Sequence, residues 1–64
     1  MIKINGQNID IDNINLLEYL KNNNYNYMVV AVELNGNIVK KTEFESTTLH
    51  SGDNVEIVSF VGGG

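Results

Sequence analysis

Apolar and polar residues alternate from the start of the chain. Ile2 and Ile4 flank Lys3, and Asn5 follows, the two-residue period of a strand with one buried face. Asn5-Gly6 then supplies a pair suited to the two positive-φ positions of a type I′ hairpin turn. Ile9 and Ile11 alternate with Asp10 and Asp12, which predicts a second strand returning along the first. Beyond residue 13 the period changes. Leu16, Leu17 and Leu20 fall on one helical stripe. Asn15 stands at the N-cap position, Glu18 follows at capping-box spacing, and Ile14 and Tyr19 occupy the two positions of a hydrophobic staple. Asn22-Asn23-Asn24 ends the segment, because Asn tolerates the left-handed conformation of a C′ residue. The predicted helix has roughly two turns and would not hold by itself in water.

Alternation resumes with Val30, Val32 and Leu34 on one side and Ala31 and Glu33 on the other. Asn35-Gly36 marks a second tight turn, and the chain returns through Ile38 and Val39. Thr42 is placed to cap a brief helical turn over Glu43, Phe44 and Glu45, and Ser51-Gly52-Asp53 turns into a last strand over 54–60. The order is hairpin, helix, strand pair, short turn, strand. Pairing the two ends of the chain side by side in the middle of a mixed sheet, with the helix across one face, is its compact solution. The expected fold is α+β, a ubiquitin-like β-grasp, with a body over residues 1–60 and a glycine tail over 61–64. Val55 and Ile57 would then face the helix. Glu56, Val58 and Phe60 would face away, joined by Ala31 in an apolar patch of the kind that often marks a partner surface. The alternative is that short loop segments fold over it.

Composition narrows the function. The chain has 64 residues and no cysteine, so neither a disulfide nor a thiolate zinc cage supports a body that buries only about 60% of its unfolded surface. Four Lys, no Arg and a net charge of −4 make a poor footprint for phosphate backbones, and nucleic acid is not expected as a partner. No apolar run approaches membrane-spanning length and no charged leader precedes an apolar one, so no membrane partner is expected. The expectation is a cytoplasmic protein that is monomeric when free. The frequent Asn, with Ile and Lys, reads as genome composition.

Candidate chemistry concentrates at the end of the chain, Val61-Gly62-Gly63-Gly64. A terminal glycine has no Cβ to block approach to its carbonyl, and Gly62 and Gly63 keep the tail thin enough to thread a narrow channel. Fixing such a tail costs roughly 1–2 kcal/mol per residue, which calls for a docking surface on the body, and Phe60 and Val58 stand closest to supply it. An inert, disordered end is the alternative, but Phe60-Val61 runs straight into the glycines without a Ser spacer. Other candidates are weak. His50 is the only histidine and has no companion ligand in sequence, so no metal site is expected. Glu43 and Glu45 read as solvated, and Ser46, Thr47 and Thr48 have no base beside them. No convergent catalytic set is present, so the chain is expected not to be an enzyme.

Ala31-Val-Glu-Leu-Asn-Gly36, Ser51-Gly-Asp53 and Val55-Glu-Ile-Val58 followed by Phe60-Val-Gly-Gly-Gly64 together resemble the ThiS family of bacterial sulfur carriers in thiamine biosynthesis. The resemblance spans nearly the whole chain. It departs in the Asn-rich connectors and at Lys40-Lys41, where many relatives carry Pro beside a basic residue. The resemblance implies that the Gly64 carboxylate is adenylated by a ThiF-type adenylyltransferase using ATP and magnesium. Sulfur drawn from cysteine by a desulfurase then displaces AMP to leave a thiocarboxylate, and the thiazole synthase ThiG takes that sulfur. No cofactor is implied for the carrier itself. Beside the resemblance, the residue reading gives Gly62 and Gly63 as threading residues and Ala31, Val58, Phe60 and Val61 as partner-binding. Within the same fold, a carrier like the small subunit of molybdopterin synthase is the runner-up. A passive β-grasp interaction module is the reading from another class.

Overall fold

The computed structural model describes residues 1–60. β1 (Ile2–Ile4) and β2 (Gln7–Ile9) form the first hairpin, with Ile2 opposite Ile9. Asn5 and Gly6 take φ of 51° and 83°, the two positive values that a type I′ turn demands. The second strand is shorter than its alternation suggests. It ends at Ile9, where Ile11 N donates to Ile9 O at 2.8 Å and bends the chain, so Ile11 reaches the edge of the core through a turn.

β3 (Asn13–Asn15) leads into helix α1 (Leu16–Asn22). The start of α1 satisfies its orphan N–H groups with two partners distant in sequence and one local cap. Leu16 N donates to Thr47 O at 2.8 Å, and Leu17 N to Phe44 O at 3.3 Å. Glu18 N donates to Asn15 Oδ1 at 3.0 Å, the predicted N-cap. At the far end Asn24 is left-handed, φ 62°, while Tyr25 N donates to Leu20 O at 2.9 Å and Asn24 N to Lys21 O at 3.2 Å. This is a Schellman motif with Asn in the place glycine usually holds.

After a 3-10 turn (Tyr27–Val29), β4 (Val30–Leu34) and β5 (Asn37–Val39) form the second hairpin around Asn35-Gly36. A second 3-10 turn (Lys41–Glu43) comes next. It starts earlier than the sequence suggests: Lys40 is its N-cap and makes no side-chain cap bond, whereas Thr42 lies inside the turn. Phe44, just beyond, is 1% exposed and belongs to the core. β6 (Thr48–His50) pairs with β3 as a separate two-stranded sheet that the residue pattern does not reveal.

β7 (Asn54–Ser59) closes the fold. The main sheet runs β2-β1-β7-β4-β5, with β1 and β7 parallel and the other neighbours antiparallel. The two ends of the body therefore lie side by side at its centre. Leu16, Tyr19 and Leu20 of α1 join Ile2, Ile4, Val30, Val32, Val55 and Ile57 from one face of this sheet, with Phe44 and Leu49 completing the core. The architecture is a β-grasp: a five-stranded mixed sheet with one main helix across one face.

Candidate functional site

Period-two geometry gives every residue on the helix-covered face a neighbour on the opposite face, and that open face carries the candidate surface. Ala31 stands directly opposite Val58 across the β4–β7 pairing. Val58 is 56% exposed and Phe60 66%, while Ala31 is half-buried. Phe60 N donates to Val29 O at 2.8 Å, which carries the pairing one residue past β7 and fixes the backbone at the last described residue. Three of the four residues expected to form the partner surface thus share one face and one end of the sheet, and no described loop covers Val58 or Phe60. The fourth, Val61, lies with Gly62, Gly63 and Gly64 outside the described residues.

Ile38 extends this face, at 66% exposure and opposite Glu33. The sequence held the signal for it. A two-residue loop at Asn35-Gly36 places 34 opposite 37 and 33 opposite 38, so Ile38 must share the face of Glu33 and Ala31. On the next row Glu33 stands opposite Glu56, and both are exposed. Like charges in direct register weaken a sheet, so this row makes an acidic rim to the apolar surface.

Sequence alone assigns little to the two Asn-Gly turns, yet both asparagines brace β7. Asn5 N donates to Val55 O at 2.8 Å, and Asn5 Oδ1 accepts from Ile57 N at 2.7 Å. The side chain continues the parallel ladder after the main chain has turned away. Asn35 N donates to Asn54 O at 2.8 Å, Asn35 Oδ1 accepts from Asn54 N at 2.9 Å, and Asn35 Nδ2 donates to Asp53 Oδ1 at 3.0 Å. Asp53 Oδ2 also accepts from His50 N at 2.7 Å. Partial burial pushes the Asp53 carboxyl up, but the bonds from Asn35 and His50 N and the nearby His50 ring outweigh it, and the group titrates below the usual aspartate value.

The other candidates lie apart from this surface. His50 ends β6, Ser46 Oγ and Thr47 Oγ1 both donate to Glu43 O, and Thr48 of β6 pairs with Asn15 of β3. Among the described residues no group of His, Asp and Glu is arranged to hold a metal, no cavity opens, and no helix is long and apolar enough to cross a membrane. What this geometry offers chemically is a surface and a strand that delivers the chain beyond it.

The model of the ThiS family matches residues 2–64, and so takes in the terminal glycines with the body. The chain belongs to the ThiS family. The crystal structure of the thiamine biosynthesis protein ThiS from Geobacter metallireducens superposes with a TM-score of 0.77 at 34% identity, over 98% of this chain and 97% of that one. The solution structure of a thiamine biosynthesis protein from the same organism gives a TM-score of 0.76 at 34% identity, over 98% and 86%. The uncharacterized protein ycf40 of Pyropia yezoensis is 39% identical over 64 residues, 98% of this chain and 90% of that protein. As a ThiS-family chain, the molecule shares the β-grasp body of its solved relatives along nearly its whole length.

Proposed function

We propose that this chain is a sulfur carrier of thiamine biosynthesis, a protein co-substrate rather than an enzyme, whose reactive group is the Gly64 carboxylate. The observation that carries this reading is the ThiS-family match, which runs through residue 64. An ionised carboxylate is a poor electrophile at neutral pH, so it must be activated before a nucleophile can attack. A ThiF-type adenylyltransferase supplies ATP and magnesium. A carboxylate oxygen bonds to the α-phosphorus and pyrophosphate leaves. A sulfide-level nucleophile, derived from cysteine by a desulfurase, then forms the carbon–sulfur bond. The carbon–oxygen bond to AMP breaks, with its electron pair leaving on the phosphate, and a thiocarboxylate remains. The thiazole synthase ThiG accepts that sulfur.

In this reading Gly62 and Gly63 thread the partner's channel, and Ala31, Val58, Phe60 and Val61 make the docking contact that offsets the entropy lost by the tail. The carrier works in the cytoplasm as a free monomer between its encounters. The test is intact mass after incubation with a ThiF-type adenylyltransferase, ATP, magnesium and sulfide. Exchange of one oxygen for sulfur is expected, with none in a variant lacking Gly64 whose thermal unfolding is unaltered. No exchange in the full chain, with an enzyme shown to load another carrier, overturns the proposal, as does normal loading of the shortened chain.

A further inference from the structure

The two hairpin turns share the dipeptide Asn-Gly but not the same surroundings. In both, the glycine faces open space: a Cβ built at Gly6 or Gly36 would meet no heavy atom within 4 Å. A glycine after asparagine leaves its backbone nitrogen free of side-chain hindrance, which favours an intramolecular reaction of the asparagine amide. The glycine nitrogen attacks Asn Cγ, a carbon–nitrogen bond forms, the Cγ–Nδ2 bond breaks, and ammonia leaves with the backbone amide proton. Water opens the resulting succinimide at either carbonyl, giving an aspartyl or an isoaspartyl residue. The sum is hydrolysis, with no change of oxidation state.

We propose that Asn35-Gly36 is a deamidation-sensitive modification site, at which even the aspartyl product breaks the joint between the β4–β5 turn and the start of β7, whereas the aspartyl product at Asn5 keeps its joint. The orientation of both amides follows from their partners. Asn5 Oδ1 faces Ile57 N and Asn35 Oδ1 faces Asn54 N, and a backbone N–H can only donate. Asn35 Nδ2 faces Asp53 Oδ1, which as a carboxylate can only accept. An aspartate at position 5 still accepts from Ile57 N. An aspartate at position 35 still accepts from Asn54 N, but its second oxygen replaces a donor and meets the Asp53 carboxylate, an acceptor of the same charge. The turns themselves do not separate the two sites. Both asparagines sit near φ 50°, at 51° and 52°, and Asp-Gly suits a type I′ turn as Asn-Gly does. The isoaspartyl product, with an extra main-chain methylene, disturbs either turn. Folding slows the reaction at both positions, because Cγ must leave its hydrogen-bonded place to reach the glycine nitrogen.

The experiment compares purified Asn35→Asp, Asn5→Asp and the double variant Asn35→Asp with Asp53→Asn by thermal unfolding at neutral pH. Asn35→Asp is expected to lower the midpoint and Asn5→Asp to leave it near that of the parent. The double variant restores a donor facing an acceptor with the roles exchanged, and is expected to recover most of the loss. An Asn35→Asp midpoint equal to the parent's, an equal loss in Asn5→Asp, or no recovery in the double variant overturns the assignment of the joint. In parallel, the parent chain is aged in mildly alkaline buffer, folded and in urea, then digested and mapped by mass. Conversion at position 35 is expected in both samples and several-fold faster in urea. Position 35 remaining an amide in urea overturns the site.

Discussion

Asparagine at the turns does two different jobs here, and only one is visible from its neighbours in sequence. Asn5, Asn24 and Asn35 all hold positive φ, a conformation Asn tolerates better than most residues. The Asn-Gly pairs and the end of the leucine stripe announce that role. Which of them also carries a side-chain bond is not written locally, because Asn5 Oδ1 bonds Ile57 N from 52 residues away. The two roles separate by mutation. Asn5→Gly keeps the turn and removes the acceptor from a partly buried N–H of the central strand, so a loss of about 1–2 kcal/mol is expected in urea unfolding. Asn24→Gly puts the preferred residue at a C′ position and is expected to stay within about 0.5 kcal/mol of the parent. Equal losses at the two sites would deny Asn5 its role in the ladder. Asp53 adds a pH dependence at the same scale. Its carboxyl titrates lower in the folded chain than in the unfolded one. Its contribution is therefore complete above the unfolded value, about 3.9, and is lost as pH falls through the lower folded value. Urea midpoints across the acid range should fall less steeply in Asp53→Asn than in the parent, and identical slopes would show that the bonds from Asn35 and His50 do not survive in solution.

At the scale of elements, the alternating stretches around the Asn-Gly turns and the leucine stripe are legible in the sequence, and the isolated strands β3 and β6 are not. Asn13-Ile14-Asn15 and Thr48-Leu49-His50 each contain one apolar residue, and one residue defines no period. The segment between β5 and β6 reads in sequence only as a brief helical turn for a related reason: Phe44 stands alone among Lys41, Thr42, Glu43, Glu45 and Ser46. In the fold this segment covers the start of α1. Phe44 O and Thr47 O accept from the first helical N–H groups, while the Phe44 ring fills the core. A two-turn helix gains its stability from such packing rather than from propensity. Phe44→Ala should therefore cost about 3–5 kcal/mol, much of what a domain of this size has at roughly 0.05–0.15 kcal/mol per residue. Circular dichroism should show most of the helix signal lost near body temperature, with Phe44→Leu retaining it. A folded alanine variant with an unshifted urea midpoint would mean that the covering segment is dispensable.

At the scale of the molecule, the central fact is where the parallel pair lies. Joining β1 to β7 puts the last strand of the body in the middle of the sheet, so the exit of the chain is held by core strands on rigid ground rather than at a frayed edge. That arrangement can be argued from the order of elements, since hairpin, helix, strand pair and strand leave few compact solutions, and the register then follows from the turns. The tail's chemistry cannot be argued so far: three glycines support an adaptable end, and the sulfur comes from the family. In the proposed function docking and chemistry fall on different residues, and one substitution can test this. Phe60 is 66% exposed, so Phe60→Ala is expected to change stability by less than about 0.5 kcal/mol. If the open face docks the activating enzyme, the same change removes an aromatic anchor and should weaken binding by about 1–2 kcal/mol, roughly five- to thirtyfold in Kd. Because the glycines are untouched, sulfur loading at saturating carrier should proceed at the parent rate, with the loss confined to subsaturating concentrations. A lower rate at saturation would place Phe60 in the positioning of the tail, and unchanged loading at every concentration would remove it from the interface.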